Sequence, residues 1–220
     1  MDCIEGMKLI PDNSMDLIVT DPPYKTITGG KNNGKNSKRP KGVLNENNGL
    51  FKYQSITIDS WIYELHRVLK NDSHCYIFTN HLNLEEMLTK SRLAGFKLHN
   101  LLVWEKNNCT PSQWYMKNCE YVLFLRKGKA KWINDIGGSK TVHKFNNIIG
   151  NKIHPTEKPV DLLEFYISNS SNEGDVIFDP FMGSGATAQA CKNVGRDYLG
   201  FEIDEKYYEI ACSRLNSMQS

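Results

Sequence analysis

Two stretches of this 220-residue chain carry side chains in an order suited to chemistry. The first is Asp21-Pro22-Pro23-Tyr24, directly after the apolar run Leu17-Ile18-Val19-Thr20. The run reads as a short buried strand, and two prolines without an N–H stop the ladder at Asp21. Each proline also restricts the residue before it, so the corner is stiff. It presents a carboxylate, fixed carbonyls and an aromatic ring at a strand's end. Those groups suit a planar, amine-bearing ring. On their own they fit a proline-stopped strand with a surface carboxylate equally well.

The second stretch, Val176-Ile177-Phe178-Asp179-Pro180-Phe181-Met182-Gly183-Ser184-Gly185-Ala186-Thr187, reads as strand, tight glycine turn and helix. Glycines let backbone approach a ligand closely, and a helix N-terminus offers free N–H groups. Gly183 to Ala188 satisfies the G-x-G-x-x-G/A dinucleotide pattern, and Glu202 falls about where such folds place an acid on ribose hydroxyls. A nicotinamide-dependent oxidoreductase is therefore a competing reading. Asp179 speaks against it, because a pyrophosphate disfavours an acid at that strand end, whereas an ammonium or sulfonium ligand suits one. Upstream, His154-Pro155-Thr156-Glu157-Lys158-Pro159 leads into a helix, and Lys158 is placed to meet a ligand carboxylate or simply to sit exposed at a helix start.

The elements that must position these groups follow from periodicity and punctuation. Residues 1–10 predict one short helix, Pro11 to Ser14 a turn, and Leu17 to Thr20 a strand. Asp59 or Ser60 is expected to cap a helix through Leu69 that Asn71-Asp72 breaks. Cys75 to Phe78 predicts a strand, Leu82 to Leu93 a helix stopped by Gly95, and Phe96 to Trp104 and Tyr121 to Leu125 further strands. Later come a helix from Val160 to Ser170 opened by Pro159, a strand over 175–178, and a helix over 186–193. A strand over 198–201 and a helix over 205–216 close the chain. This alternation predicts a single α/β domain over 1–220, with a mostly parallel sheet and helices on both faces. Strand carboxyl ends in such a sheet share an edge, so Asp21 and Asp179 are expected to face one crevice.

Charge distribution says more than the net charge of +2. Residues 25–54 hold Lys25, Lys31, Lys35, Lys38, Arg39, Lys41 and Lys52 against the single acid Glu46. With little apolar periodicity, they read as a long mobile loop that contacts phosphates over the Asp21 corner. Residues 127–150 begin with Lys127, Lys129 and Lys131 and show no clear element. The six cysteines form no CxxC pair and the histidines no ligand pattern, so no metal is assigned and reduced thiols in a cytoplasmic protein are expected. No apolar stretch approaches membrane-spanning length.

Taken together, the three motifs resemble the β-class S-adenosylmethionine-dependent amino-methyltransferases of DNA. In that family D-P-P-Y comes early, D-P-F-x-G-S-G late, and H-P-T-x-K-P between, as in this chain. The resemblance implies a Rossmann-like methyltransferase fold with permuted motif order. It implies S-adenosyl-L-methionine as cofactor, with Asp179, Phe181, Gly183, Ser184 and Gly185 at its methionine end, Lys158 on its carboxylate, Glu202 on its ribose and Asp2-Cys3 by its adenine. Asp21, Pro22, Pro23 and Tyr24 would hold the amine and stack on a flipped-out base. The segment 127–150 sits where the family places its target-recognition insert, and its Lys127, Lys129 and Lys131, like the Lys-rich loop, would contact the DNA backbone. Asp at the first motif position points to N6-adenine, since the N4-cytosine enzymes more often carry Ser there. Asn118-Cys119-Glu120 resembles a family H-x-E segment with Asn for His and is given no catalytic role. DNA is the implied partner. Family members often pair, which makes a second copy of the chain a further one. A non-catalytic nucleic-acid-binding module remains the alternative in which the basic loop matters and Asp21 does not.

Overall fold

The computed structural model describes residues 1–23, 56–110, 114–150 and 157–216. Tyr24, the basic stretch 25–54 and residues 154–156 lie outside the described residues. In chain order the elements are α1 (Cys3–Met7), β1 (Met15–Thr20), a 3-10 turn (Ile58–Ser60), α2 (Ile62–Val68), β2 (Leu69–Thr79), α3 (Leu84–Leu93) and β3 (Lys97–Thr110). They continue with β4 (Lys117–Lys127), β5 (Val142–Lys144), α4 (Val160–Ser170), β6 (Val176–Asp179), α5 (Ala186–Asn193), β7 (Asp197–Gly200) and α6 (Glu205–Asn216).

The described strands form one sheet in the order β5-β3-β4-β2-β1-β6-β7. β1 pairs in parallel with β2 and β6, β6 with β7, and β3 with β5, whereas β4 is antiparallel to β2 and β3. Alternation along β1 splits the core into two layers. Ile18 packs with Met7, Ile62, Leu65 and Met87 on one face, and Leu17 and Val19 pack with Leu162, Leu163, Tyr166 and Ala190 on the other. Each of these three β1 side chains is fully buried, worth about 1.5–3 kcal/mol relative to exposure. The mostly parallel sheet between helical layers matches the expected fold class.

Several expectations change in detail. Asp59 and Ser60 do not cap α2; they form the 3-10 turn before it, where Ser60 Oγ donates to the Thr57 carbonyl and Asp59 pairs with Lys90. Asn71-Asp72 does not end a helix, because β2 already begins at Leu69. Asp72 instead takes a left-handed backbone, φ 59°, where the β1–β2 register shifts, and its carboxylate accepts from Lys129 N at 2.6 Å. β3 and β4 are longer than expected, and β5 appears in the stretch expected to be without structure.

The direction of β4 corrects one functional expectation. Its C-terminal end lies at the sheet edge opposite Asp21, where Lys127 pairs with Ser73. Lys127 is buried, and its ammonium donates to the carbonyls of His66 at 2.7 Å and Leu69 at 2.8 Å and to Asn13 Oδ1 at 2.8 Å. It is a structural tie and not a phosphate contact. The chain stays at that edge through Asn134, whose Nδ2 donates to the Ser168 and Ser171 carbonyls at the end of α4. From the 127–150 insert, only the part from β5 onward turns back toward Asp21.

Candidate active site

Asp21 follows β1 and Asp179 ends β6, and these are adjacent parallel strands. Both carboxylates therefore meet at one edge, as the alternation of elements implied. Thr20 Oγ1 donates to Asp179 Oδ1 at 2.7 Å and links the two strand ends directly. Phe181 N donates to the same oxygen at 3.0 Å, and Thr187 Oγ1, from the first turn of α5, to Oδ2 at 2.6 Å. Burial raises the Asp179 carboxyl to about 6, against the lowering effect of these three donors. Two carboxylate oxygens offer about four acceptor sites, so a cationic group can still be received.

A pocket opens to solvent here, lined by Thr20, Asp21, Phe78, Lys158, Asp179 and the Phe181–Ser184 turn, among others. Three of the turn's amides are committed to acceptors of the protein itself: Phe181 N to Asp179, Gly183 N to Glu202 Oε2 at 2.8 Å, and Gly185 N to the Met182 carbonyl at 3.0 Å. These amides are spent on the protein's own acceptors and not offered to a pyrophosphate, which weighs against the dinucleotide alternative. Gly183 and Gly185 have φ of 53° and 81°, and a Cβ on Gly185 would stand 2.8 Å from Ala211 Cβ. Glycine at 185 thus permits both the turn and the close packing of α6 on α5.

Glu202 also accepts from Asp204 N at 2.8 Å, and burial pushes its carboxyl up. Beside it lies α1. A Cβ on Gly6 would meet the Phe201 ring at 2.5 Å, so this helix sits directly on the end of β7. Asp2 caps α1 by accepting from Ile4 N at 2.7 Å, and Cys3 is buried, its thiol pushed up to about 12 by burial and by the Asp2 charge. Asp2 and Cys3 therefore stand near Glu202, which is bonded to Gly183 of the pocket lining.

Lys158 lines the same pocket as the glycine turn, with its ammonium directed at the Asp21 corner. Its ammonium donates to Asp21 Oδ2, stands 3.3 Å from Glu120 Oε2 and lies 5.2 Å from the centre of the Phe78 ring. Burial works to neutralise it, but Asp21 and Glu120 outweigh that and hold it firmly charged. Glu120 in turn accepts from Lys106, which sits over the Trp104 ring at 4.7 Å. Burial would raise Glu120, yet Lys158 and Lys106 keep its carboxyl below the usual range. A line of alternating charges, Lys106, Glu120, Lys158 and Asp21, thus runs into the proline corner. Glu120 was not singled out from the sequence, although its segment resembled a known one. Antiparallel β4 brings it here, since the start of that strand lies at the carboxyl edge of its neighbours. Glu157, next to Lys158, is buried and accepts from Arg214 of α6.

A family model described as DNA methylase, of the N6/N4 methyltransferases, matches residues 15–213. The type II methyltransferase M.HinfI of Haemophilus influenzae is 31% identical over 243 aligned positions, covering 99% of this chain and 67% of its own. Among solved structures, an M1.HpyAVI complex with S-adenosylmethionine superposes with a TM-score of 0.72 at 26% identity, covering 97% of this chain and 96% of that one. The cytosine-N4-specific PvuII DNA methyltransferase shares the fold, with a TM-score of 0.74 at 18% identity over 97% of this chain and 84% of its own. With the family model spanning nearly all of it, the chain belongs to the N6/N4 DNA methylase family, the amino-methyltransferases of DNA.

Proposed function

We propose that this protein transfers a methyl group from S-adenosylmethionine to the N6 amine of adenine in DNA, at a base turned out of the duplex. The observation that carries this is the meeting of Asp21 and Asp179 across one pocket, from adjacent parallel strands. The residues present fit the cofactor: a buried carboxylate at the turn for an ammonium group, a close-packed glycine turn, and Glu202 with Asp2 and Cys3 toward the nucleoside end. When bound, S-adenosylmethionine supplies a methyl group activated by a sulfonium.

The chain's own residues supply the rest. An exocyclic amine is a poor nucleophile because its lone pair is delocalised into the ring. Hydrogen bonds from that amine to the Asp21 carboxylate and the Pro22 carbonyl favour the pyramidal, attacking form. Lys158 fixes the Asp21 carboxylate from behind, and Glu120 with Lys106 holds Lys158. The rigid corner supplies orientation, which is a large part of the rate enhancement in transfers between two bound partners. Taking the base out of the stack gives the Asp21 corner access to an amine that is otherwise paired. The Asp at position 21 supports adenine over cytosine.

The test is to incubate the protein with labelled S-adenosylmethionine and DNA, digest the DNA, and identify the labelled nucleoside. N6-methyladenine is expected. N4-methylcytosine would overturn the base assignment alone, and unlabelled DNA would overturn the proposal.

A further inference from the structure

Thr20 closes the apolar run of β1 with a hydroxyl that has no solvent to meet. It is 1% exposed, and its Oγ1 donates to Asp179 Oδ1 at 2.7 Å. A valine has the same branching and would suit the strand, so burying a hydroxyl here is a cost unless its partner needs it. That partner is a carboxylate, itself 3% exposed. Donors reach it from the end of β1, from the glycine turn and from α5. Thr20 and the Phe181 amide, at 3.0 Å, fill the two acceptor positions of Oδ1, and Thr187 takes one on Oδ2 at 2.6 Å. Among the described residues, one position on Oδ2 is left for a ligand's ammonium.

The titratable groups around Asp179 do not supply this support. Asp21 opposes its charge, and the Cys191 thiol of α5 is pushed up to about 12 by burial and stays neutral. Lys158, in the same pocket, is held by Asp21 and Glu120, and Glu157 by Arg214. Burial works to neutralise Asp179, and hydrogen bonds donated to its charged form oppose that.

We propose that Thr20 is a positioning residue of the cofactor site: its hydroxyl orients the Asp179 carboxylate and supports its negative charge, so that Oδ2 meets the cofactor's ammonium. This rests on the methyl-transfer reading above. The end of β1 then serves both substrates, Asp21 facing the amine and Thr20 setting the carboxylate that holds the cofactor.

The test compares wild type with Thr20→Val, Thr20→Ala and Thr20→Ser. In the unliganded protein, carbon-13 NMR of labelled aspartate follows the Asp179 carboxyl, its resonance identified by its loss in Asp179→Asn. One hydrogen bond to a charged group is worth about one to two pH units. The midpoint should therefore rise from about 6 to about 7–8 in Thr20→Val and stay near 6 in Thr20→Ser. Thr20→Ala removes the hydroxyl without pressing a methyl group on Oδ1, and it should show the same rise if the valine variant does not fold. Calorimetry reads the consequence for S-adenosylmethionine. The Kd of Thr20→Val relative to wild type should be about 10- to 100-fold higher at pH 5 and about twofold or less at pH 8. The cofactor's own amine titrates alike in both proteins and divides out of the ratio.

A midpoint unmoved in the valine and alanine variants would overturn the inference and leave the methyl-transfer reading standing. So would a loss of affinity equal at pH 5 and pH 8, which marks Thr20 as packing alone, or a loss that Thr20→Ser does not restore. Wild-type protein that binds no S-adenosylmethionine at any pH would overturn both.

Discussion

Asp179 makes cofactor affinity a titration. It is buried, 3% exposed, and its carboxyl lies at about 6, raised from 3.8 by burial against three donors. Only the ionised form balances an ammonium group. Affinity for S-adenosylmethionine should therefore be flat above pH 7 and weaken toward tenfold per pH unit below 6. At pH 5 about one Asp179 in ten is ionised, so Kd should be about tenfold higher than at pH 7. Stability carries the mirror image. The folded carboxyl is raised, so its contribution is fully present below about pH 3.8 and is lost as pH rises through about 6. A shift of about 2 pH units corresponds to about 3 kcal/mol. Calorimetric titration at pH 5, 6, 7 and 8 reads the affinity, with Asp179→Asn as the control that separates this group from Glu202. The amide can still accept from Thr20 and Phe181, so the turn should persist while the pH dependence vanishes. Equal wild-type affinity at pH 5 and 7, or an unchanged pH profile in Asp179→Asn, would refute the role given to this carboxylate.

Other perturbations read other parts of the site. Glu120→Gln leaves Lys158 and Lys106 with one carboxylate fewer in a mostly buried setting, side chains 7% and 18% exposed, and should cost about 3 kcal/mol in urea unfolding. Adding Lys106→Met should recover part of that loss, as a coupled pair requires. Gly185→Ala forces a side chain into φ 81° and against Ala211, so a fall in melting temperature corresponding to about 1–3 kcal/mol is expected. Lys127→Met strands three acceptors and should cost about 1–3 kcal/mol, while the salt dependence of DNA binding stays as in wild type. A slope reduced by about 1 would restore Lys127 as a phosphate contact.

Much of this architecture was legible in local sequence. α5 agrees residue for residue, because a glycine turn opens it and Gly195 follows soon after its last residue, Asn193. The shared edge of Asp21 and Asp179 followed from alternating strands and helices alone. What escaped notice depended on long-range direction. One antiparallel strand, β4, carries Glu120 into the site and Lys127 away from it, and no periodicity within 117–127 encodes which end faces the pocket. Lys158 sits beside the glycine turn in the pocket lining, but its partners are 137 and 38 residues away, so its turn toward Asp21 depends on tertiary packing. β5 is not legible because three residues, the buried His143 between exposed Val142 and Lys144, are too few to show alternation above the surrounding loop.

The central claim is that Asp21 acts on the amine while the glycine turn holds the cofactor. Single-turnover methyl transfer by Asp21→Asn, with cofactor affinity measured on the same preparation, tests it most directly. Transfer should fall by about 10²- to 10⁴-fold, the range for losing a positioned acceptor in the transition state, while cofactor Kd stays near the wild-type value. Transfer at the wild-type rate, or a loss explained wholly by weaker cofactor binding, would contradict it.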